Sequence, residues 1–340
     1  MPGPFVHDID PVIGQVGGLY LWWYGVSYGL GFLEMHLWMR RQRARLGLGV
    51  DDVYRLSVWF AAGVLIGGRA IEIAFDEWPF YRDRVWLMPA LWLGGMATHG
   101  LLIGGATGAW LFSRRSGIPF RQLADELVIP GAFLMAVGRV GNFIDGQIVG
   151  GVTGVPWAVQ FPDAEGFRHP VVLYDAIKNL ALIPLLLWVR RRNPTPGAVA
   201  AHFVFWYPFL RLFVDLARDY PTHRLPFGTG QTLNIVMALV GVVLLARLRL
   251  RRLGRLGSPP PAGAARRPAT QGRPLPRLAL AAIIALSVTI PSNWTQDVPA
   301  RYGARHAGLT YSRLYPRLDT RPRPRAGAVQ PRQPPRRRPA

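Results

Sequence analysis

The sequence predicts an all-α polytopic membrane protein with seven transmembrane helices, and it leaves an eighth helix near the C-terminus open. Half of its 340 residues are hydrophobic and twelve are tryptophan, which is unusual for a soluble domain. Seven apolar stretches are long enough to cross a bilayer, which takes about 20 helical residues. No cysteine is present, so the chain itself can form neither a disulfide nor a thiolate metal site.

The predicted spans follow one another through a transmembrane domain over residues 19–250. They lie near residues 19–39, 57–75, 87–113, 124–144, 171–189, 197–216 and 229–246. Residues 1–18 carry Asp8 and Asp10 where a secretory signal would be basic, so we expect a retained N-terminal segment on the outer side of the membrane.

Positive charge alternates between the loops. One set of loops is rich in arginine, at residues 40, 41, 43 and 45, then 114, 115 and 121, then 190–192, then 247, 249, 251 and 252. The other set carries acids, at residues 76, 77 and 83, then 145, 163 and 165, then 219. By the positive-inside rule the arginine-rich loops are cytoplasmic. The N-terminus is then outside.

The strongest positive charge belongs to the C-terminal part. From residue 247 onward there are twenty arginines and two aspartates, which account for +18 of the total charge of +21. We expect a disordered basic linker over residues 251–277, a short apolar segment over 278–291 and a basic Pro/Arg-rich tail over 292–340. The apolar segment fits a short span, a re-entrant piece or an interfacial helix. No nucleic-acid module accompanies the charge, so nucleic acid is not an expected partner.

Two pairs of residues stand out in the fourth span. Arg139 and Asn142 are three positions apart, as are Gly138 and Gly141, so a helix places each pair on one face. Charged groups inside a bilayer generally face a cavity, a partner or a polar substrate. The pairs therefore indicate a functional site that admits an anionic headgroup. The alternative is that the glycines only pack helices and that Arg139 extends to the interface.

A second polar cluster lies in the sixth span. Arg211, Asp215 and Arg218 have the spacing i, i+4, i+7 and share one stripe of a helix. An ion pair between Arg211 and Asp215 would lower the cost of burying both. The guanidinium fork of Arg211 suits a phosphate, and a purely structural ion pair is the alternative. Both interpretations can hold together.

Three further side chains are candidates for the same site. His99 lies in a glycine-rich part of the third span, where apolar surroundings favour a neutral imidazole that can accept a proton; a satisfied polar group is the alternative. Tyr174 precedes Asp175 early in the fifth span, where an acid needs a partner. Tyr24 fits either a site residue or an interfacial aromatic. No two histidines have the spacing of metal ligands, so no metal is expected.

These residues resemble the bacterial prolipoprotein diacylglyceryl transferase family, seven-span enzymes of the cytoplasmic membrane, over roughly residues 10–250. The strongest element is the run GRVGNFI at residues 138–144, which is similar to the family signature. The supporting elements occur in the family's order at residues 23–25, 67–69, 99–100, 169–170, 173–174, 211, 218 and 230–231.

The resemblance implies transfer of the diacylglyceryl group of phosphatidylglycerol to the lipobox cysteine thiol of a prolipoprotein, with release of glycerol phosphate. It implies that Arg139 and Arg211 stabilise the departing phosphate and that His99 accepts the thiol proton. It also implies substrate binding by Asn142, Tyr24, Gln147, Asp215, Arg218 and Tyr174. We expect no metal or organic cofactor, membrane lipid as surroundings, and a site facing the outer leaflet of the bacterial inner membrane.

The chain departs from the family pattern at several acids. Asp145 and Gln147 stand where the pattern has asparagine and glutamate, Asp215 and Asp175 are shortened from glutamate, and Leu101 replaces a glycine. Glutamine keeps a hydrogen-bond acceptor but has no charge. A second hypothesis is therefore a catalytically impaired paralogue that binds phospholipid or serves membrane assembly. A transporter is a third class, which the absence of an evident inverted repeat disfavours.

Overall fold

The computed structural model describes residues 5–192, 194–219, 228–253, 274–292 and 295–318. Most of the predicted linker and residues 319–340 of the predicted tail lie outside this part. The described chain is mostly helical. Its α-helices are α1 (Trp23–Gln42), α2 (Val50–Glu72), α3 (Trp78–Tyr81), α4 (Thr98–Ser116), α5 (Phe120–Ile144), α6 (Val171–Arg191), α7 (Ala198–Asp215), α8 (Gly228–Leu253), α9 (Pro274–Ser287) and α10 (Val298–Tyr302).

Five of the described helical segments are long and apolar enough to cross a membrane. They are Val50–Tyr81, Phe120–Ile144, Val171–Arg191, Ala198–Asp215 and Gly230–Leu250. The first of them continues from α2 through a π-helical turn at Ile73–Glu77 into α3. Helices α1 and α4, with 20 and 19 residues, pack in the same bundle but are less apolar.

Two of the predicted spans begin with residues that are not helical. Residues 19–22, expected at the start of the first span, form the extended strand β3, and the helix begins at Trp23. Residues 87–97, expected within the third span, form short 3-10 turns and loop before α4 begins at Thr98. Gly94 and Gly95 have φ values of +92° and +90°, which a helix does not accommodate. Apolar character alone does not separate such a loop from a helix.

The bundle is held together by apolar faces and by one glycine interface. Along α1, Tyr28, Phe32, Met35 and Met39 are buried at helical spacing, which is the pattern of a core-facing stripe. Helix α2 lies backbone to backbone against α4. A Cβ atom added to any of five glycines at this interface would overlap the partner's backbone; they are Gly63 and Gly67 of α2 and Gly100, Gly104 and Gly108 of α4. Small residues four apart permit this close approach.

One end of the bundle collects the arginine-rich loops. Arg190 at the end of α6 binds Glu126 near the start of α5 at 3.0 Å and donates to Gln42 at the end of α1 at 2.6 Å. Asp125 accepts hydrogen bonds from Gly197 and Ala200 at the start of α7. These bonds satisfy backbone N–H groups that the first turn of a helix leaves unpaired.

The opposite end carries short strands and the described part of the C-terminal segment. Strand β1 (Phe5–Val6) pairs in parallel with β4 (Val159–Gln160), which pairs antiparallel with β5 (Phe167–Arg168). Strands β2 (Val12–Val16) and β3 (Leu19–Trp22) form an antiparallel hairpin. Its turn residues Gly17 and Gly18 have φ values of +57° and +82°, as tight two-residue hairpins require. The C-termini of α5 and α7 and the N-termini of α1 and α6 meet this layer.

Candidate functional site

Asp175 holds two arginines from neighbouring helices. Its Oδ2 atom lies 2.6 Å from Arg139 Nε of α5, as an ion pair, and accepts a hydrogen bond from Arg211 Nη1 of α7. Its Oδ1 atom lies 2.9 Å from Lys178 Nζ, one turn further along α6. The Asp175 side chain is 1% exposed, so the carboxylate acts within the bundle. The three cations are the partners that an acid at this position of the fifth span was expected to need.

Arg211 also pairs with Asp215, as their spacing predicts. Arg211 Nε lies 2.9 Å from Asp215 Oδ1, and Asn234 of α8 donates to Asp215 Oδ2 at 3.2 Å. Three cations, namely Arg139, Arg211 and Lys178, thus accompany two carboxylates, and the five side chains carry a formal charge of +1. Burying these groups is costly unless each is paired and hydrogen-bonded.

Arg139 points into the protein and not toward the surface. The residue is 8% exposed. Its Nη1 donates to Asn142 Oδ1 at 3.0 Å and its Nη2 donates to Thr98 Oγ1 at 3.1 Å. The pair Arg139 and Asn142, predicted from the sequence to share a helix face, is in direct contact. In the observed rotamer the Arg139 side chain is directed into the bundle, unlike the alternative in which it extends to the interface.

A small cavity of about 30 Å³ adjoins this contact. Its lining includes Arg139 and Asn142 together with Tyr24, Tyr28, Thr98, Leu101, Leu134, Met135 and Gly138. The hydroxyls of Tyr24 and Tyr28 are 2.9 Å apart. Leu101, which stands where the family pattern has glycine, is one of the walls. The cavity has room for about one water molecule, so a larger ligand requires the walls to move.

The two glycines of the signature differ in role. A Cβ atom at Gly141 would lie 2.8 Å from Tyr24 Cα, whereas one at Gly138 would meet nothing within 4 Å. Gly141 therefore lets α5 approach α1 at Tyr24, and Gly138 keeps the cavity open beside Arg139. The alternative that these glycines only pack helices therefore fits Gly141 and not Gly138.

His99 follows Thr98 in the first turn of α4 and is half-buried. The charges of Arg211, Arg139 and Asp215 act on it, which brings the third span to the same cluster. Among the described residues, no side-chain hydrogen bond fixes the imidazole ring. His99 thus lies within electrostatic reach of both arginines.

The loop after α5 turns sharply at Gly146, whose φ is +69°. Asp145 and Gln147 on either side are buried. The backbone N–H of Ser292 donates to Asp145 Oδ2 at 2.8 Å, and Arg301 Nη2 donates to Gln147 Oε1 at 3.4 Å. Burial raises the pKa of the Asp145 carboxyl to about 7, because ionisation away from water is costly.

Tyr174 and Arg218 lie where α6 begins and α7 ends. The Tyr174 hydroxyl accepts from Trp157 Nε1 at 2.7 Å and lies 3.1 Å from His169 Nδ1. Arg218 forms a backbone bridge with Gly150. These contacts attach the loop after α5 to α6 and α7. Tyr174 also immediately precedes Asp175 and so links this layer to the cluster.

Several residues of the site were not candidates from the sequence. Thr98 and Lys178 gave weak signals, because a threonine beside a glycine run and a lone lysine have many ordinary explanations. Ser292 gave none, because it lies 150 residues from Asn142, whose Nδ2 donates to its hydroxyl at 2.5 Å. Asp175 was recognised as needing a partner, but its joint contact with two arginines depends on how three helices pack.

Apolar helices around a buried arginine pair define a multi-pass membrane protein with a polar site inside its bundle. Known proteins of this kind match the chain. The prolipoprotein diacylglyceryl transferase family matches residues 11–247. A phosphatidylglycerol–prolipoprotein diacylglyceryl transferase of Geobacter sulfurreducens is 36% identical, over 74% of this chain and 99% of the relative. One of Chromohalobacter salexigens is 37% identical, over 70% and 91%. The chain belongs to the prolipoprotein diacylglyceryl transferase family.

Proposed function

We propose that the chain transfers the diacylglyceryl group of phosphatidylglycerol to the lipobox cysteine thiol of prolipoproteins, the first step of lipoprotein maturation. The observation that carries this proposal is the pair Arg139 and Arg211, gathered on Asp175 beside Asn142 and His99. Two guanidinium groups next to a hydrogen-bonding amide suit a phosphodiester headgroup. The names of the family and of its relatives support the same reaction.

We infer that α1 and α4 cross the membrane in addition to the five most apolar segments, which gives seven spans. The arginine-rich end, where Arg190 binds Glu126, then faces the cytoplasm. The N-terminal segment, the loop after α5 and the candidate site lie toward the outer leaflet of the bacterial cytoplasmic membrane. Helix α9 runs between the same two ends and accounts for the eighth apolar stretch of the sequence.

The reaction exchanges one bond for another at a glycerol carbon. The thiol sulfur forms a bond to the carbon that carries the phosphate ester, and the C–O bond to phosphate breaks. The phosphate oxygen leaves with the electron pair as glycerol phosphate, and the thiol proton passes to a base. We assign the base to His99 and the stabilisation of the leaving phosphate to Arg139 and Arg211. Preorganised donors aimed at developing charge are a large source of catalysis.

The remaining candidates bind or orient substrate in this proposal. Asn142 and Tyr24, at the small cavity, hold the headgroup, and Gly138 leaves room for it. Asp215 holds Arg211 in place through their ion pair of 2.9 Å. Gln147, Arg218 and Tyr174 belong to the layer over the outer end, where a prolipoprotein signal segment would approach. The bundle supplies these groups from α1, α4, α5, α6 and α7.

A lipidation assay tests the proposal. Purified protein is mixed with phosphatidylglycerol and a lipobox peptide, and the lipid-modified peptide is measured by mass spectrometry. We expect transfer by the wild type and its loss in Arg139→Ala. A loss of less than about tenfold, roughly 1.4 kcal/mol of transition-state stabilisation, contradicts a phosphate-binding role for Arg139. Arg168→Ala is the matched control, because Arg168 pairs with Asp219 in the outer layer.

The same assay separates the enzyme from a non-catalytic lipid-binding paralogue. Folded wild type that binds phosphatidylglycerol without transfer would favour the paralogue. Gln147→Glu and Asp215→Glu then restore the acids of the family pattern. Arg301 lies beside Gln147 at 3.4 Å, so the new carboxylate has a cationic partner. Transfer gained by the double variant assigns the defect to these two positions, and its continued absence supports the binding function.

A further inference from the structure

The C-terminal segment that lies beyond the family match enters the site from outside the seven long helices. The match covers residues 11–247, and α9 follows at Pro274–Ser287. Arg277 of α9 lies 3.6 Å from Asp51 at the start of α2. At the other end, Val288 accepts a hydrogen bond from the N–H of Trp22 at 2.9 Å, and Gly25 lets the two backbones touch. The segment therefore runs along α1 and α2 from one end of the bundle to the other.

Ser292, just after this crossing, touches the signature residues directly. It is fully buried. Its hydroxyl oxygen accepts from Asn142 Nδ2 at 2.5 Å, and its backbone N–H donates to Asp145 Oδ2 at 2.8 Å. One residue thus contacts both ends of the segment from Asn142 to Asp145, in which α5 ends and the following loop begins.

The contact with Asn142 has an orienting consequence. A guanidinium can only donate, so Asn142 must present Oδ1 to Arg139 Nη1, which lies 3.0 Å away. The amide Nδ2 then points away from Arg139 and needs an acceptor, because a buried donor without a partner is costly. Ser292 Oγ is that acceptor. Without it, the amide loses the bond that distinguishes this orientation from the flipped one.

Other contacts hold Ser292 in place. Thr295 donates from its N–H and hydroxyl to Glu77 at 2.6 and 2.9 Å, and Arg69 donates to Thr295 Oγ1 at 3.2 Å. Arg305 Nη2 donates to the Asp145 carbonyl at 2.9 Å. Aromatic residues of the same segment pack on the β2–β3 hairpin; the rings in contact are Tyr302 with Trp22 and Tyr315 with Tyr20. The segment is therefore bonded to the fold on both sides of Ser292.

We propose that Ser292 is a positioning residue of the headgroup site, which acts by orienting the Asn142 amide between Arg139 and the bound phospholipid. The C-terminal segment is then part of the site and not an appendage to it. This inference rests on the proposed function in naming phosphatidylglycerol as the ligand. The contact itself does not depend on that reaction.

The test compares two buried serines of the full-length chain. Ser292→Ala removes the acceptor for Asn142. Ser287→Ala is the matched control, because Ser287 is also fully buried but its hydroxyl donates to Ile284 within α9. We expect Ser292→Ala to raise both the Kd for phosphatidylglycerol and the KM by about tenfold, with kcat changed less than threefold, and Ser287→Ala to stay within twofold. A tenfold change corresponds to about 1.4 kcal/mol.

A loss of folded protein would lower the apparent kcat and leave the KM unchanged, so the two parameters separate positioning from damage to the fold. If the Kd and KM of Ser292→Ala stay within twofold of the wild-type values, the proposal is overturned. An equal rise in Ser287→Ala overturns it too, because it would indicate a general disturbance of α9.

A double-variant cycle checks that Ser292 acts through Asn142. The thermal midpoints of Ser292→Ala, Asn142→Ala and the double variant are compared without ligand. Residues in direct contact give non-additive changes, so we expect Ser292→Ala to have little further effect once Asn142 is alanine. Additive changes overturn the proposal.

Different results contradict the positioning role of Ser292 and the transferase function. If the wild type transfers nothing, the transferase function is ruled out, but the Kd values of Ser292→Ala and wild type for phosphatidylglycerol still test the positioning role. Wild type that transfers normally, with Ser292→Ala indistinguishable from it, removes only the positioning role. The Kd is measured by native mass spectrometry of detergent-solubilised full-length protein with added phosphatidylglycerol.

Discussion

Arg139 and Asp175 form an ion pair of 2.6 Å that joins α5 to α6 inside the bundle. The same carboxylate oxygen also accepts from Arg211 of α7. The positions of the two guanidinium groups are therefore set by one side chain and by the packing of three helices. Removing either arginine would still leave Asp175 with a cation, whereas removing the carboxylate affects both arginines at once.

Asp175→Asn should lower the stability of the protein by more than the loss of either ion pair alone would. The variant leaves Arg139, Arg211 and Lys178 with Asp215 as the remaining carboxylate of the cluster. Breaking a buried ion pair typically costs about 3–5 kcal/mol. We expect a lower thermal midpoint in detergent and a loss of lipidation activity. Asp175→Glu should retain most of both, because the charge is kept and only the reach changes.

An exposed ion pair provides the control for Asp175. Arg168 and Asp219 are 2.8 Å apart, and the Asp219 side chain is 58% exposed. Pairs of this kind contribute about 0–1 kcal/mol. Asp219→Asn should therefore leave the midpoint and the activity close to wild type. If Asp175→Asn behaves like Asp219→Asn, the carboxylate does not organise the site.

His99→Gln should lower kcat by about 10²–10⁴, the usual contribution of a positioned general base. Glutamine keeps a polar side chain of similar reach but cannot take up the thiol proton. The KM for phosphatidylglycerol should change little, because the arginines remain. The measurement is steady-state lipidation across a range of pH. His202→Gln is the control, since His202 is a half-buried histidine in α7 near its first turn; equal losses in both variants would refute a base at His99.

The stability of the protein should fall as the pH rises through the pKa of Asp145. Burial raises that pKa from 3.8 to about 7, so the folded protein binds the proton more tightly than the unfolded chain. The stabilisation is then fully present below about pH 4 and is lost as the pH rises through about 7. The charged group that acts on this carboxyl is Arg305 of the C-terminal segment, whose Nη2 also donates to the Asp145 carbonyl at 2.9 Å.

Asp145→Asn removes this titration and keeps an acceptor for the Ser292 N–H. We expect its thermal midpoint to fall less than that of wild type between pH 4 and pH 8. Asp163→Asn, which alters a half-exposed carboxylate paired with Arg301, should keep the wild-type slope. An Asp145→Asn protein with the same slope as wild type would show that another group controls the pH dependence.

The glycine interface between α2 and α4 should tolerate no side chain. A Cβ atom at Gly104 would overlap the carbonyl oxygen of Gly63, whereas one at Gly131 of α5 meets nothing within 4 Å. Gly104→Ala should destabilise the protein by about 1–3 kcal/mol, as overpacking does. Gly131→Ala should be neutral or stabilising by up to about 1 kcal/mol, because alanine favours helix. The thermal midpoints of both variants test this prediction. Equal midpoints would mean that the helices can separate at little cost in free energy.

The sequence predicted the fifth and sixth helices closely. The fifth span was expected at residues 171–189 and the helix is Val171–Arg191; the sixth was expected at 197–216 and the helix is Ala198–Asp215. Both are predominantly apolar segments with a proline or glycine before them and arginine or aspartate at their ends. The contacts of Arg139 with Asn142 and of Arg211 with Asp215 also followed from spacing, because they lie within one helix.

Features that depend on packing between distant segments were not predictable in this way. Residues 87–97 are apolar but interrupted by glycines with positive φ, so hydropathy overestimated the third span. Lys178, the single lysine of the chain, was not a candidate, although it shares the Asp175 carboxylate with both arginines. Ser292 carries no local signal. Its role appears only when α9 places it against Asn142.

The Ser292 contact also sets an order of assembly for the nascent chain. Asn142 and Ser292 are separated by 150 residues, and at synthesis rates of about 5–20 residues per second the second follows the first by roughly 8 to 30 seconds. During that interval the signature helix can insert and pair with its neighbours, while the Asn142 amide still lacks its acceptor. A ribosome that stalls after the seventh long helix would leave a bundle with its arginines already in place and its headgroup contact unfinished.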